Sequence, residues 1–256
     1  MFKGFSITAV IPALDEEAAI GKVVTELKAL SLAPSLSLES EKIIDAIIVC
    51  DNGSTDNTAL YAENAGAIVV HQATSGYGIA CQTALLQVSS CDIVLFVDGD
   101  DSCFIKQAIP LLLSIIEGDD LAIGSRTLGI IEQGALTPVQ LFGNWLSSRL
   151  INFFWQQKIS DLGPFRAIRT EALHRLSMQD KSFGWTVEMQ VKAAILSMKV
   201  SEHPVDSKIR IGESKISGTV KGSILAGFGI LSMIFKLRFG HFFKEAQLKD
   251  KSSRRC

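Results

Sequence analysis

Apolar residues fall in short, nearly continuous runs through the first half of the chain, and each run is followed by a segment with helical spacing. The runs at 6–11, 43–50, 67–71 and 92–97 are rich in Ile and Val and bounded by turn-forming residues, which predicts four strands. Between them, 16–30 places Ile20, Val23, Val24 and Leu27 on one face, and 55–65, 78–88 and 104–113 predict further helices. Strands apolar on both sides and separated by helices indicate an α/β fold with a mostly parallel sheet covered on both faces. The connection 31–42 is polar, contains Ser and Pro, and predicts a surface loop.

The second half is less regular. A strand is expected at 121–124, an amphipathic helix at 144–155, a helix at 187–196, and a strand with its connection at 200–210. Trp145, Trp155 and Trp185 are expected to pack, and the charged tail from 247 to fray. No internal repeat or low-complexity tract is present.

Composition narrows the partners. A net charge of -2 over 256 residues gives no basic field for nucleic acid. Cys50, Cys81, Cys91, Cys103 and Cys256 form no CxxC pair, which fits a reducing, cytoplasmic setting without zinc or a disulfide framework. Residues 1–10 read as a short start running into a strand, so no signal peptide is expected. The longest uncharged apolar stretch, 222–235, lies between Lys221 and Lys236 and is shorter than the ~20 residues that span a bilayer. Its cationic flanks and the following Phe239, Phe242 and Phe243 suit a helix lying on the cytoplasmic face of a membrane; a core or dimer-interface helix fits equally well. The oligomeric state is left open.

In open α/β sheets, ligands bind beyond the carboxyl ends of the strands. Three of those ends are acidic: Asp15-Glu16, the run Asp51-Asn52-Gly53-Ser54-Thr55-Asp56, and Asp98-Gly99-Asp100-Asp101. Asp98 and Asp100, two residues apart in a turn, can reach one Mg²⁺ or Mn²⁺ whose remaining positions are filled by phosphate and water. Such an ion neutralises a departing diphosphate. Against this, Asp100 or Asp101 would cap the next helix, as Ser54 or Asp56 would cap the one after the second strand. Asp51, at the end of a buried run, can accept from the N–H of uracil or guanine. Ser75-Gly76-Tyr77-Gly78 resembles a phosphate-cradling loop only weakly. His71, His174, His203 and His241 share no ligand spacing.

Pro12-Ala13-Leu14-Asp15-Glu16-Glu17, the Asp51 to Asp56 run, Gly76-Tyr77-Gly78, Asp98-Gly99-Asp100 and Gly124-Ser125-Arg126 occur in that order. Together they resemble a family 2 glycosyltransferase of GT-A fold, in the polyprenyl-phosphate (dolichyl-phosphate) mannose or glucose synthase branch. The resemblance spans about residues 6–231. It implies that Pro12, Asp15, Glu16, Asp51, Gly76, Asp98 and Gly99 bind the donor nucleotide, with Asp98 and Asp100 on Mg²⁺ or Mn²⁺. Asp15 stands where the family often has Asn, and Tyr77 where many members have Lys, which removes one diphosphate contact.

By the same resemblance, Asp161-Leu162-Gly163-Pro164-Phe165-Arg166 matches a D-x-x-x-F-R segment on the acceptor side, and 183–188 supplies the acid Glu188. Arg210-Ile211-Gly212-Glu213-Ser214-Lys215 matches R-x-x-G-x-S-K on a loop over the site. Asp161, Glu188 and Arg210 are the implied catalytic residues; Arg126, Arg166, Arg210, Ser214 and Lys215 would bind an acceptor phosphate. Taken singly, each of these charges is more often an ordinary exposed group. The implied reaction is an inverting transfer of a hexose from a UDP- or GDP-sugar to a polyprenyl phosphate. Transfer to a sugar hydroxyl, with Glu188 or Asp161 as base, and a non-catalytic nucleotide-sugar-binding protein are the alternatives. The expected division is a transferase domain at 1–218, an amphipathic helical segment at 219–245, and a polar tail at 246–256.

Overall fold

The computed structural model describes residues 1–31, 42–212, 222 and 226–240. A seven-stranded sheet runs in the order β3-β2-β1-β4-β6-β5-β7. Its strands are β1 (Ile7–Ala13), β2 (Ala46–Asp51), β3 (Ile68–His71), β4 (Ile93–Phe96), β5 (Leu121–Ser125), β6 (Arg166–Arg169) and β7 (Val200–Pro204). Only β6 runs antiparallel to its neighbours, β4 and β5. The mostly parallel sheet expected from the Ile/Val runs is therefore present.

Alternation explains why those runs are unbroken. Ile7, Ala9 and Ile11 of β1, Ile47 and Val49 of β2, and Ile93 and Leu95 of β4 face one buried layer, with α1 (Ile20–Lys28) and α4 (Ala108–Ile116). Val10, Ile48, Cys50, Val94 and Phe96 face the other, against α3 (Tyr77–Leu85), α6 (Thr170–Leu176) and α7 (Trp185–Ile195). With both faces covered, neither parity of a strand can be polar. Trp185 packs here edge-on to Phe96, with ring centroids 6.3 Å apart.

Several boundaries moved. β1 continues through Pro12 to Ala13, paired along that stretch only with β2. The helix after the second strand, α2, is Thr58–Ala65, and the helix expected at 104–113 is a 3-10 turn, Ile105–Gln107, running into α4. α5 (Pro138–Trp155) starts six residues before the expected 144, at a Thr137/Gln140 capping box with Pro138 in the first turn. β6 and α6 were not expected: Arg-Ala-Ile-Arg lacks the composition of a strand, yet it fills the gap between β4 and β5. Residues 32–41 of the expected loop, and the tail from 241, lie outside the described residues; Ser31 and Lys42 are bridged.

The helix at 226–240 does not stand apart. Met233 and Ile234 are buried in a cluster with Ile151 of α5 and Val187 and Val191 of α7.

Gly76 and Gly78 are both required by a close approach of the chain. The 180–182 segment crosses the start of α3, and Gly78 N donates to Ser182 O (3.2 Å) and Ile79 N to Lys181 O (3.1 Å). A Cβ on Gly78 would stand 2.2 Å from Asp180 O. Gly78→Ala is therefore expected to cost about 1–3 kcal/mol in urea unfolding. Gly143→Ala, where a Cβ meets nothing within 4 Å, should stabilise α5 by about 0.5–1 kcal/mol. Equal unfolding midpoints for the two variants would refute the packing account.

Candidate active site

The strand order fixes the place of the site. From β1 the chain goes to β2 and β3 on one side, and β4 lies on the other, so the loops leaving β1 and β4 part company. A crevice at such a switch point is the usual ligand position in open α/β sheets. Asp15 and Asp101, one in each loop, both adopt left-handed backbone (φ 51° and 59°), unusual for a residue with a side chain. Each is held by hydrogen bonds. Asp15 N donates to Ser54 Oγ (2.9 Å) and Asp15 Oδ1 accepts from Thr55 N (2.7 Å). Asp101 is buried between Lys22 Nζ (2.6 Å) and Lys208 Nζ (2.7 Å). Asp101 therefore pins two lysines rather than capping a helix. Asp56 accepts from Thr58 N (2.9 Å) at the start of α2, while Ser54 serves Asp15.

The strap at 207–211 closes the crevice. Lys208 N donates to Ser102 O and Ile211 N to Asp100 O, both at 3.0 Å, and on the other side Glu132 N donates to Ser207 O (2.8 Å). This brings Arg210 between the two loops: its Nη2 lies 2.5 Å from Glu16 Oε1 and its Nη1 3.3 Å from Asp100 Oδ2. Its buried Nε has no acceptor among the described residues. Asp98 Oδ1 accepts from Tyr77 Oη (3.1 Å).

Three acids thus converge on one guanidinium. Burial, with repulsion from Asp100 and Asp98, raises Glu16 to about 7 although Arg210 opposes it. Burial, then Asp100, likewise pushes the Asp98 carboxyl upward. An excess of hard, oxygen-bearing negative charge fits a divalent cation. Among the described residues, no group of three or more His, Cys, Asp or Glu side chains is arranged to hold a metal. The fit is therefore to an ion sharing Asp98 and Asp100 with ligand oxygens.

Two cavities meet at this point. The smaller, about 210 Å³, lies over the ends of β1, β2 and β4 and is lined by Pro12, Glu16, Asn52, Gly76, Asp98 and Gly99, among others. The larger, about 490 Å³, runs from Asp98 and Asp100 past Arg126 to apolar walls that include Leu136, Val139, Ile209 and Ile230. Tyr77, Asp98, Asp100, Phe183 and Arg210 line both.

Other expected residues lie nearby but are tied to protein partners. Asp51 is buried and lines neither cavity, although the next residue, Asn52, lines the smaller one; its Oδ1 accepts from Ser54 N (3.0 Å) and its Oδ2 is paired with His71 Nδ1 (3.1 Å). His71, which shares no ligand spacing with the other histidines, is thus the neighbour of one expected site residue. Asp15 is a loop tie, as described. Both carboxylate oxygens of Asp161, which is fully buried, are held by Arg126, at 2.7 Å from Nη2 and 2.9 Å from Nε. Burial would raise Asp161, yet its contacts with Arg126 bring it below the usual carboxylate range. Glu188 accepts from Gln179 N and Asp180 N and pairs with Lys192, which fixes the segment that crosses α3. Arg166 is buried on the carbonyls of Leu162, Gly163 and Thr186, and burial lowers it to about 10. Neither Glu188 nor Arg166 is among the residues lining these two cavities. Ser214 and Lys215 lie outside the described residues. Trp145 is exposed on α5 instead of packed.

The Asp161–Arg126 pair makes a stability prediction. A carboxyl depressed in the folded state stabilises above its unfolded value of about 3.9 and loses that contribution as pH falls through the folded value. Asp161→Asn should cost about 3 kcal/mol near neutral pH. Unfolding free energies below pH 4 should converge for variant and wild type; a constant difference down to pH 2 would contradict the ion pair.

Comparison with known proteins agrees with this architecture. The profile of Glycosyl transferase family 2 matches residues 8–177. An uncharacterized glycosyltransferase of Mycobacterium tuberculosis is 32% identical over 225 residues, covering 87% of this chain and 95% of the relative. A dolichyl-phosphate hexose transferase of Haloferax volcanii is 29% identical over 225 residues, covering 86% of this chain and 90% of the relative. Glucosyl-3-phosphoglycerate synthase from Mycobacterium tuberculosis, crystallised with Mn²⁺, UDP and glucosyl-3-phosphoglycerate, superposes with a TM-score of 0.67 at 20% identity, over 92% of this chain and 80% of that one.

Proposed function

Because the chain belongs to glycosyl transferase family 2 and has the GT-A fold, we propose that it is an inverting hexosyltransferase that moves a sugar from a UDP- or GDP-sugar to a polyprenyl-type lipid phosphate. The observation that carries this reading is the larger cavity, in which apolar walls that include Leu136, Val139, Ile209 and Ile230 adjoin the charged groups Asp98, Asp100, Arg126 and Arg210, with Asp206 as the one other charge on its lining. A lipid phosphate has the same distribution of polarity.

The acids of that cavity favour an anionic acceptor over a hydroxyl. Asp98 and Asp100 are the metal candidates, and Asp206 already accepts from Ile130 N and Gln107 Nε2. With Asp161 and Glu188 tied, no further carboxylate lines the cavity among the described residues as a general base. A phosphate oxygen is ionised at neutral pH and requires none.

In this reading the nucleoside diphosphate occupies the smaller cavity, with Pro12, Gly76 and Gly99 along its wall and Asp51 meeting the base. Asp98 and Asp100 would hold Mg²⁺ or Mn²⁺, which neutralises charge on the diphosphate. The acceptor oxygen forms a bond to the anomeric carbon from the larger cavity as the bond to the diphosphate breaks with its electron pair. Arg210, placed where the cavities join, is positioned to turn from Glu16 and Asp100 toward phosphate, and Arg126 lines the same larger cavity. Because that transfer needs alignment more than proton movement, most of the acceleration would come from positioning.

A membrane supplies such an acceptor. Among the described residues no helix is long and apolar enough to cross one. α5 and the 226–240 helix nevertheless expose Phe142 (60%), Trp145 (53%) and Phe228 (72%), each next in sequence to a residue lining the larger cavity, and Phe153 (77%) further along α5. Neither helix carries an acidic residue; Arg149, Lys236 and Arg238 are their only charges. An apolar, cationic face suits peripheral contact with an anionic bilayer.

A product assay offering several nucleotide-sugars with a short polyprenyl phosphate should yield an acid-labile glycolipid; turnover only on hydroxyl acceptors would reject the reading. Asp98→Ala should lower kcat about a thousand-fold or more at unchanged fold, and activity near wild type would remove its role. In flotation with phosphatidylglycerol vesicles, Phe142→Glu/Trp145→Glu should bind about ten-fold more weakly. Equal binding would count against this face.

A further inference from the structure

The strand register places His71 directly beside Asp51, the last residue of β2 opposite the last residue of β3. Their side chains meet at 3.1 Å between Nδ1 and Oδ2. An ionised carboxylate only accepts, so the Nδ1 of His71 carries the proton in this contact. The other oxygen, Oδ1, accepts from Ser54 N at 3.0 Å. The Asp51 carboxylate is thus clamped from both ends, by the turn that follows its own strand and by the neighbouring strand. Each oxygen keeps an acceptor position free.

We infer that His71 is a positioning residue for donor binding, holding Asp51 in the rotamer that accepts an N–H from the nucleobase. This rests on the nucleotide-sugar reading above. Nothing else about His71 calls for its side chain. The imidazole is 66% exposed and makes no other hydrogen bond among the described residues, and the β2–β3 pairing uses backbone alone. Without the imidazole, one end of the carboxylate is released and its orientation must be fixed at the moment of binding, at an entropic cost. The ligand class follows from the chemistry: a base with an imide or lactam N–H, as in uracil or guanine, gains from a fixed acceptor. The effect belongs in donor affinity and not in the transfer step, since His71 acts only through Asp51, whose contact is with the nucleobase and not with the reacting atoms.

Asn is the informative substitution, because its Nδ2 occupies the position of the imidazole Nδ1 and donates a proton without titrating. Titration calorimetry of the full chain with UDP and GDP in the presence of Mn²⁺, paired with steady-state kinetics in the donor, separates the outcomes. His71→Ala is expected to weaken binding of the preferred nucleotide and raise donor KM by about 3- to 10-fold, with kcat unchanged. His71→Asn should return both to within about two-fold of wild type, and His71→Asp, which sets two carboxylates together, should be worse than Ala. Wild-type affinity in His71→Ala, no rescue by Asn, or a loss confined to kcat would each overturn the inference while leaving the donor reading intact. Absence of UDP and GDP binding by the wild type would instead overturn the donor reading, and this inference with it.

Discussion

Glu16, Asp98 and Asp100 repel one another in a crevice where water is scarce, and much of the surrounding structure serves to hold them together despite it. They come from two loops that leave adjacent parallel strands and diverge. Left to themselves, such loops would swing apart to relieve the repulsion. Arg210 opposes this by spanning Glu16 and Asp100. It can do so because the 207–211 strap is hydrogen-bonded to the 100–102 turn on one side and to the 130–132 turn on the other. Asp101 adds a second clasp, tying the same turn to α1 through Lys22 and to the strap through Lys208. Three buried or half-buried carboxylates against one guanidinium still leave negative charge uncompensated. The raised Glu16 and Asp98 carboxyls are the expression of that surplus. A surplus of this kind costs stability, and a cationic or metal-bearing ligand removes it, so the destabilised arrangement is also the one prepared for binding.

The parts of this arrangement legible from sequence are those set by local pattern. An Ile/Val run ending in Asp gives a strand and a carboxylate at its tip, and Asp51 and Asp98 could be placed from that alone. Charges whose meaning lies in a distant partner were not legible singly. Asp161 looks like a candidate base until Arg126, 35 positions earlier, occupies both of its oxygens. Arg166 looks like an anion ligand, yet its guanidinium is spent on three backbone carbonyls. In each case a motif brings the residues into the right region and burial decides the job: a charge removed from water must be paired, and its partner then defines what it can do. His71 is the reverse case. A lone histidine at a strand end carries no signal, and only the β2–β3 register gives it a neighbour.

Glycine shows the same dependence on context. Gly76 and Gly78 resemble a phosphate loop in sequence, and one of them does line the smaller cavity. The carbonyls of the 180–182 segment, however, already take the amides at the start of α3. That segment is in turn fixed by Glu188, whose two oxygens collect the amides of Gln179 and Asp180. A small residue at 76 and 78 and an acid at 188 are thus parts of one packing solution, which aligns Tyr77 with Asp98. The influence of Glu188 on chemistry would run through this chain of contacts and not through a proton.

The larger cavity poses a physical problem that bears on function. Apolar walls open to water are unfavourable, and so are Phe142, Trp145, Phe153 and Phe228 on the adjoining surface. α5 and the 226–240 helix are held to each other and to α7 by a buried cluster, so the exposed side cannot collapse inward. Repacking would also break the Phe154–Phe235 contact, 6.1 Å between centroids, that joins the two helices. What remains is to cover the surface from outside. In the reading proposed above, a bilayer would do so, its acyl chains meeting the aromatic face and a lipid chain entering the cavity. The acid-free helices lower the electrostatic barrier to an anionic surface. The surplus negative charge lies at Asp98 and Asp100, where the larger cavity adjoins the smaller. An acceptor phosphate drawn toward the protein would therefore meet repulsion at the point of reaction unless Arg126, Arg210 and a divalent cation offset it. That requirement couples the two cavities: the donor complex, by bringing its metal, would also make the acceptor side habitable for an anion.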